Sequence, residues 1–496
     1  MPHGHAELGV TTPRSTFYDQ GRFGRLFPTL PPFAADTPTM RGALTELGAA
    51  GGPMDARDDL SDPIALITDP DLAARNRDNP RMAAGMTFLG QFLDHDMTFD
   101  ATSSLARRQD PESLRNFRIP ALDLDSVYGS GPVASPHLYD QTVDHGRTTL
   151  LVEEISGADG VSVPGAMRYD LPRNTQLVAL IGDPRNDENL VISQLHLALL
   201  RFHNRVVQDV KDDAAGLTLG ETFAEAQRIV RWHYQWIVLH EFLERTVGQD
   251  VVDDVLSHGR RHFSWRNAPY IPVEFSVGAY RAGHSQIRPS YRANFGTTAT
   301  DPSTHFFGLL FDATLAADPD PADLRGGCRA PRRFIDWQTF FDFGDDRARR
   351  NKLIDTTLSS VLFSLPGQPA GEEVSLASRN LLRSLALGVP SGQRIAAAMQ
   401  FPALSGADLE DLQEYHLENR TPLWFYVLRE AEVQHGGRQL GSVGGRIVAE
   451  VIVGLLQGDS QSYLNQDPDW EPTYGTGDGF ATTDLLTAAG VVAALA

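Results

Sequence analysis

The chain has one cysteine, two lysines, no apolar run long enough to cross a bilayer and no excess of positive charge, and each shortage excludes something. Cys328 alone can form no intrachain disulfide, so stability has to come from a packed core, which 496 residues suffice to build as one large domain or two. Of the 43 basic residues only Lys211 and Lys352 are lysines, and they stand against 64 acids. The resulting net charge of −21 disfavours nucleic acid and anionic membrane as partners and favours solubility. HGRRHFSWR (258–266) is too short a basic cluster to reverse that. The C-terminal LLTAAGVVAALA falls short of the roughly 20 apolar residues a membrane span needs, and is expected to pack as a terminal helix. MPHGHAELGV lacks the charged-then-apolar pattern of a secretory signal, so the cytoplasm is the default expectation, with signal-independent export as the alternative. His3 and His5 fall in a segment expected to be mobile.

What is present is mostly helical periodicity. Apolar residues recur at helical spacing over 79–98, 187–212, 219–248, 350–364, 375–387 and 442–457, whereas strand signals are few, TTLLVEE (148–154) being one. Residues 1–70, with LFPTLPP and scattered glycines, read as an extended arm, 71–460 as the main domain, and 461–496 as a tail packed on it. GQPAGEE (367–373) reads as a loop, and no internal repeat is evident.

Four segments carry chemistry. GQFLDHDMTFD (90–100) puts Gln91 and His95 on one helical face, with Asp94 and Asp96 flanking the histidine. That suits proton handling near a bound group, although a capped helix end with a satisfied core histidine would look the same. GDPRNDENLVISQLHLALLRFHNRV (182–206) sets Arg185 and Glu188 three apart at the start of a long helix, where acids are also simple dipole partners. FSVGAYRAGHSQIRPSYR (275–292) presents His284 after Gly283, a residue that lets something flat or bulky approach the backbone. LASRNLLRSLALGVPSGQ (376–393) places Asn380 and Arg383 three apart before a Gly-Val-Pro stop. The pairs His196/His203 and His233/His240 have metal-like helical spacing but lack the HExxH arrangement of a zinc hydrolase, and read as structural.

Taken together and in this order, these segments, with LDLDSVYGS (122–130), resemble the animal haem peroxidases of the peroxidase–cyclooxygenase superfamily over about 79–456. RTPLWFYVLREAEV and GGRIVAEVIVGLL further resemble microbial members. The resemblance implies a mainly α fold, a large helical haem-peroxidase domain with haem b between distal and proximal helices and few short strands. It implies that His95 is the distal acid–base, Arg185 the distal arginine stabilising developing charge, and Gln91 the distal glutamine. It makes His284 the proximal iron ligand, Asn380 its hydrogen-bond partner, and Arg281 and Arg383 the haem-propionate partners. Asp94 and Glu188 match the carboxylates that form esters to haem methyl groups. Asn189 stands where myeloperoxidase-like members have a methionine, so no third link is expected, and chloride oxidation becomes doubtful.

The same resemblance implies calcium, held by Asp96, Asp123, Asp125 and the carbonyls of Ile119 and Ala121; hard oxygen ligands suit that ion. Ile119 replaces a common threonine and Asp125 a serine, and a turn whose aspartates cap local amides is the alternative. The implied reaction oxidises small donors with hydrogen peroxide through a ferryl haem: phenolic or aromatic molecules, or bromide, iodide or thiocyanate. A fatty-acid dioxygenase of the same superfamily and a non-enzymatic haem-binding protein are the alternatives. Against the dioxygenase, the position three before His284 is Arg281, and Tyr280 lies one step further away.

Overall fold

A computed structural model describes residues 21–69, 71–72, 74–100, 103–142, 147–155, 169–213, 216–294, 306–310, 324–327, 333–366, 368, 371–475, 477 and 479–492. His3, His5, Cys328, part of the 367–373 loop and the last four residues lie outside them. The described chain is mainly α-helical, and its strands pair only two by two. The helices that matter for the site are α1 (Pro38–Leu47), α2 (Gly85–Met97), α3 (Leu190–Asp213), α4 (Leu219–Ile237), α5 (Leu376–Ala386), α6 (Leu423–His435), α7 (Ser442–Gly458) and α8 (Thr482–Ala488). No described helix is long and apolar enough to cross a membrane.

Several helices begin where the sequence supplies a cap. Thr37 accepts from the Met40 amide ahead of α1, with Pro38 at the first helical position. Thr218 and Glu221 close a reciprocal capping box on α4. The buried Glu430 carboxylate on α6 accepts from the Val443 and Gly444 amides at the start of α7, where helix-dipole charge favours an anion. α4 continues through a π-turn, Val238–Leu243, into Glu244–Val247. α3 packs on both α2 and α4, and α7 packs on α6. One contiguous apolar core joins them.

Four expectations need correction. The segment 79–98 is not all helix: β1 (Asp78–Ala83) precedes α2 and pairs antiparallel with β2 (Arg350–Lys352). The segment 350–364 is accordingly a strand, a turn and a short 3₁₀ segment, Ser360–Phe363. Short apolar runs fit helix and strand alike, and here tertiary pairing decided. The arm is not extended throughout either, because α1 and the turn Ala65–Thr68 interrupt it. Within 148–154 only Glu153–Glu154 forms a strand, paired with Tyr169–Asp170.

The four helical histidines all have partners. His203 bridges Tyr128 and the Thr148 carbonyl, and His240 meets the Tyr463 hydroxyl. His233 Nδ1 donates to the Ile229 carbonyl while its Nε2 accepts from the Thr473 and Tyr474 amides, which ties the tail to α4. That pattern requires the neutral ring, and burial pushes His233 down to about 4. Its folded-state value lies below the ordinary 6.5, so its contribution is complete above 6.5 and is lost as pH falls towards 4. At pH 5 the loss is about 2 kcal/mol. His233→Gln, which keeps a donor and an acceptor without titrating, is expected to flatten the pH 7-to-5 fall in urea-unfolding free energy by that amount. An unchanged slope would clear His233 of the effect.

Candidate active site

β1 runs directly into α2, and the Ala84 and Gly85 amides donate to the carbonyls of Arg349 and Phe340, so the start of α2 is fixed by β2 and its flank. From α2, Gln91, Asp94 and His95 line a cavity of about 960 Å³. Arg185 and Glu188 line the same cavity, but they lie in and just after a 3₁₀ turn, Pro184–Asp187, that precedes α3, not in its first turn. His284 and Arg281 reach it from the 3₁₀ segment Ala279–Gln286, and Asn380 and Arg383 from α5. All nine residues expected at the haem pocket therefore meet on one cavity.

His95 is almost fully buried, and its Nδ1 lies 2.8 Å from Asn186 Oδ1. A carbonyl oxygen can only accept, so Nδ1 carries the proton and Nε2 is left bare. Burial, with Arg185 second, holds His95 below its ordinary value, so the ring is neutral near pH 7. Its 3.6 Å approach to Glu188 Oε1 is for that reason not an ion pair. Asn186 Nδ2 lies 3.0 Å from His196 Nδ1. Asn186, one residue after Arg185, thus orients the acid–base candidate, a role the sequence did not single out. His196, read as structural, supports it from α3.

Arg185 is held by Asp183, by the carbonyls of His95 and Thr98, and by the Phe99 ring 4.5 Å away. Gln91 donates to Glu188 and accepts from Asn189 at 3.1 Å. Asp94 accepts from the Thr98 hydroxyl at 3.0 Å. Around His284, Nδ1 lies 2.9 Å from Asn380 Nδ2, while Asn380 Oδ1 is 3.4 Å from Arg281. With a metal on Nε2, Nδ1 carries the proton and must donate to the amide oxygen, which a half-turn of the Asn380 amide supplies.

Beside α2 lies a second cluster. Carboxylate oxygens of Asp96, Asp123 and Asp125 come within 4.8 Å of one another. Asp96 accepts from the Leu124 amide, the Ser126 hydroxyl and the Tyr234 hydroxyl, and Leu124 adopts a left-handed conformation to make the turn. Burial, then repulsion from Asp123, pushes Asp96 up to about 7. Arg118 approaches Asp125 at 3.3 Å. The Ile119 carbonyl already accepts from the Ala121 amide, which leaves it a second lone pair; Ala121 is buried in the same turn.

A family model described as animal haem peroxidase matches residues 109–419, well over half of the chain. The chain belongs to the animal haem peroxidase family. The matched range begins after α2, so His95 and Gln91 lie outside it. Human thyroid peroxidase is 28% identical over 213 residues, covering 40% of this chain and 22% of that protein. Drosophila melanogaster chorion peroxidase is 27% identical over 297 residues, 57% of this chain and 34% of the relative. The matches therefore span about a fifth to a third of these curated relatives. Among solved structures, peroxidase A from Dictyostelium discoideum aligns with a TM-score of 0.60 at 15% identity, over 96% of this chain and 92% of that one. Fatty acid alpha-dioxygenase from Oryza sativa aligns with a TM-score of 0.56 at 15% identity, over 96% and 86%. At such identities these structures share the fold.

The cavity of this animal haem peroxidase family member fits the cofactor its family implies. At Gly283, beside His284, no atom outside the local chain lies within 4 Å of where a Cβ would sit, so a flat group has room against the backbone. Arg281, Arg383 and also Arg379 line the wall, close enough for both of the latter to repel Arg281. Burial, then repulsion from Arg383, draws Arg281 down to about 10, a strain that two propionates would relieve. Arg379, one turn before Arg383 on α5, was not singled out from sequence because helix-surface arginines are too common to stand out.

Proposed function

We propose that this chain is a peroxidase that uses hydrogen peroxide to oxidise small donors. The observation that carries the reading is the junction of a neutral, oriented His95 and an Asn380-supported His284 on one cavity whose wall also bears three arginines. Haem b bound there would supply the redox chemistry, and His284 would hold its iron while Arg281, Arg379 and Arg383 would hold its propionates. His95 Nε2 takes a proton from the oxygen of peroxide that attacks and returns it to the one that leaves. Arg185 favours the negative charge that builds on the departing oxygen. Gln91 holds water or a small anion. Phenolic or aromatic donors and the halides bromide and iodide, with thiocyanate, are the donor classes proposed. The test is an absorption spectrum of the haem-supplied protein before and after one equivalent of hydrogen peroxide. A Soret band that changes rapidly and is restored by a phenol or bromide supports the reading; a bound haem indifferent to peroxide overturns it.

Asp94 and Glu188 are proposed to ester-link the haem. Both line the cavity, which supports the assignment. Mass spectrometry after peroxide treatment is expected to show haem attached to the chain, with Asp94→Ala and Glu188→Ala each losing one attachment. Unmodified haem in the parent protein would remove the proposal.

The dioxygenase alternative has one specific residue in its favour. Tyr280 is on the cavity wall. Its hydroxyl, however, donates to the Gly90 carbonyl at 2.9 Å, and a backbone carbonyl cannot take up the proton a tyrosine loses on oxidation. That favours the peroxidase. Turnover of linoleate without added peroxide would reverse the preference.

A further inference from the structure

In a chain whose basic residues are otherwise almost all arginines, Lys352 is completely buried. It ends β2, the strand that pairs with β1 and so with the lead into α2. Its Nζ donates to Asp355 Oδ1 and to the Thr357 carbonyl, both at 2.6 Å. Asp355 Oδ1 also accepts from the Thr357 amide at 3.0 Å, so the ammonium closes a tight turn over 352–357. The enclosed site suits a compact ammonium, where a planar guanidinium would bring a wider fork of donors.

The turn grips the residue next to the proximal histidine. The Ser285 hydroxyl donates to the Asp355 carbonyl at 2.6 Å and accepts from the Asp355 amide at 2.9 Å. Four residues after His284, Arg288 donates to the carbonyls of Arg350 and Asn351, clamping the same segment to β2. On the other side, Thr87 of α2 donates to Asn351 Oδ1 at 2.8 Å. The β1–β2 ribbon therefore touches the helix that carries His95 and the segment that carries His284.

We propose that the Lys352–Asp355 pair, acting through Ser285, is a positioning device that sets His284 relative to α2. Lys352 touches neither histidine; it fixes the turn, the turn fixes Ser285, and Ser285 fixes the backbone from which His284 projects. The inference rests on the assignment of His284 as the iron ligand under the proposed function.

The test is resonance Raman spectroscopy of the reduced, haem-loaded protein, read at the iron–histidine stretching band. Lys352→Met and Ser285→Ala are expected to shift and broaden that band in the same direction. Glu450→Gln, which disturbs an equally buried carboxyl at α7 that holds the His262 and Phe263 amides, is expected to leave it in place. A shift in both variants with the control unmoved supports positioning. An unchanged band in Ser285→Ala overturns the proposal, including when Lys352→Met does not fold. Failure of the parent protein to show an iron–histidine band would instead strike the assignment of His284, so the two failures are distinguishable.

Discussion

His95→Ala is expected to slow the reaction with hydrogen peroxide by about a thousandfold while haem stays bound, since positioned acid–base catalysis contributes roughly 10²–10⁴. The residue supplies no iron ligand in this arrangement, so the cofactor's absorbance should survive the change. What is lost is a bare Nε2 held at one orientation by Asn186. His95→Gln should fare little better, because an amide can donate and accept but cannot carry the proton from one oxygen to the other. Asn186→Leu is expected to produce a smaller loss, about tenfold to a hundredfold, by releasing the tautomer without removing the ring. Stopped-flow absorbance on the three variants separates these effects. A His95→Ala protein that reacts at the parent rate would end its assignment as the acid–base group.

We propose calcium for the turn that holds Asp96, Asp123 and Asp125, and a calcium-selective chelator is then expected to lower the thermal midpoint by several degrees. Asp96, Asp123 and Asp125 bring three carboxylates together in a largely buried turn, with Asp125 Oδ1 making no hydrogen bond and Arg118 the basic group nearest it. Like charges this close oppose folding unless protons or a cation intervene. A hard divalent ion with oxygen ligands suits the set. An ion present at a thousand times its dissociation constant stabilises the native state by about 4 kcal/mol. At roughly 2 cal/mol/K of unfolding entropy per residue, that corresponds to a shift of about 4 °C for this chain. Calorimetry with and without a calcium-selective chelator measures it. Asp123→Asn, which removes one ligand charge and part of the repulsion, should make the protein less sensitive to the chelator. A parent protein that melts identically in both conditions would show that the carboxylates are only turn caps. Because Asp96 follows His95, chelation should also slow the peroxide reaction.

Much of this was legible in the chain. Local chemistry wrote the helices: the Thr218–Glu221 box, the Thr37–Pro38 start and the apolar spacing of α3 agree with one another, while α7 is buried on every side from Val443 to Leu456. The site residues were legible because four separate segments each paired a chemically unusual residue with a helical or glycine-bearing context. Resemblance then joined segments that periodicity alone could not relate. Illegible were features whose cause lies in another part of the chain. The strand character of 350–352 depends on 78–83, about 270 residues away. Asn186 looks like any helix-start polar residue until His95 and His196 are placed on either side of it. Tyr280 sits one position from a familiar place, and only its bond to Gly90 says what its hydroxyl is engaged in.

The sequence by itself determined the composition of the site: which histidines, arginines and carboxylates are available, in what order, and that helices would present most of them. It also determined the net charge and the absence of an internal disulfide. Tertiary structure alone decided that these residues share one cavity, that His95 is neutral with its bare nitrogen fixed, and that a two-stranded ribbon connects the two histidine-bearing segments. The physical reason is that helix propensity, capping and periodicity act over a few residues. Burial, hydrogen-bond direction and strand pairing are set by neighbours that only the closed fold brings together.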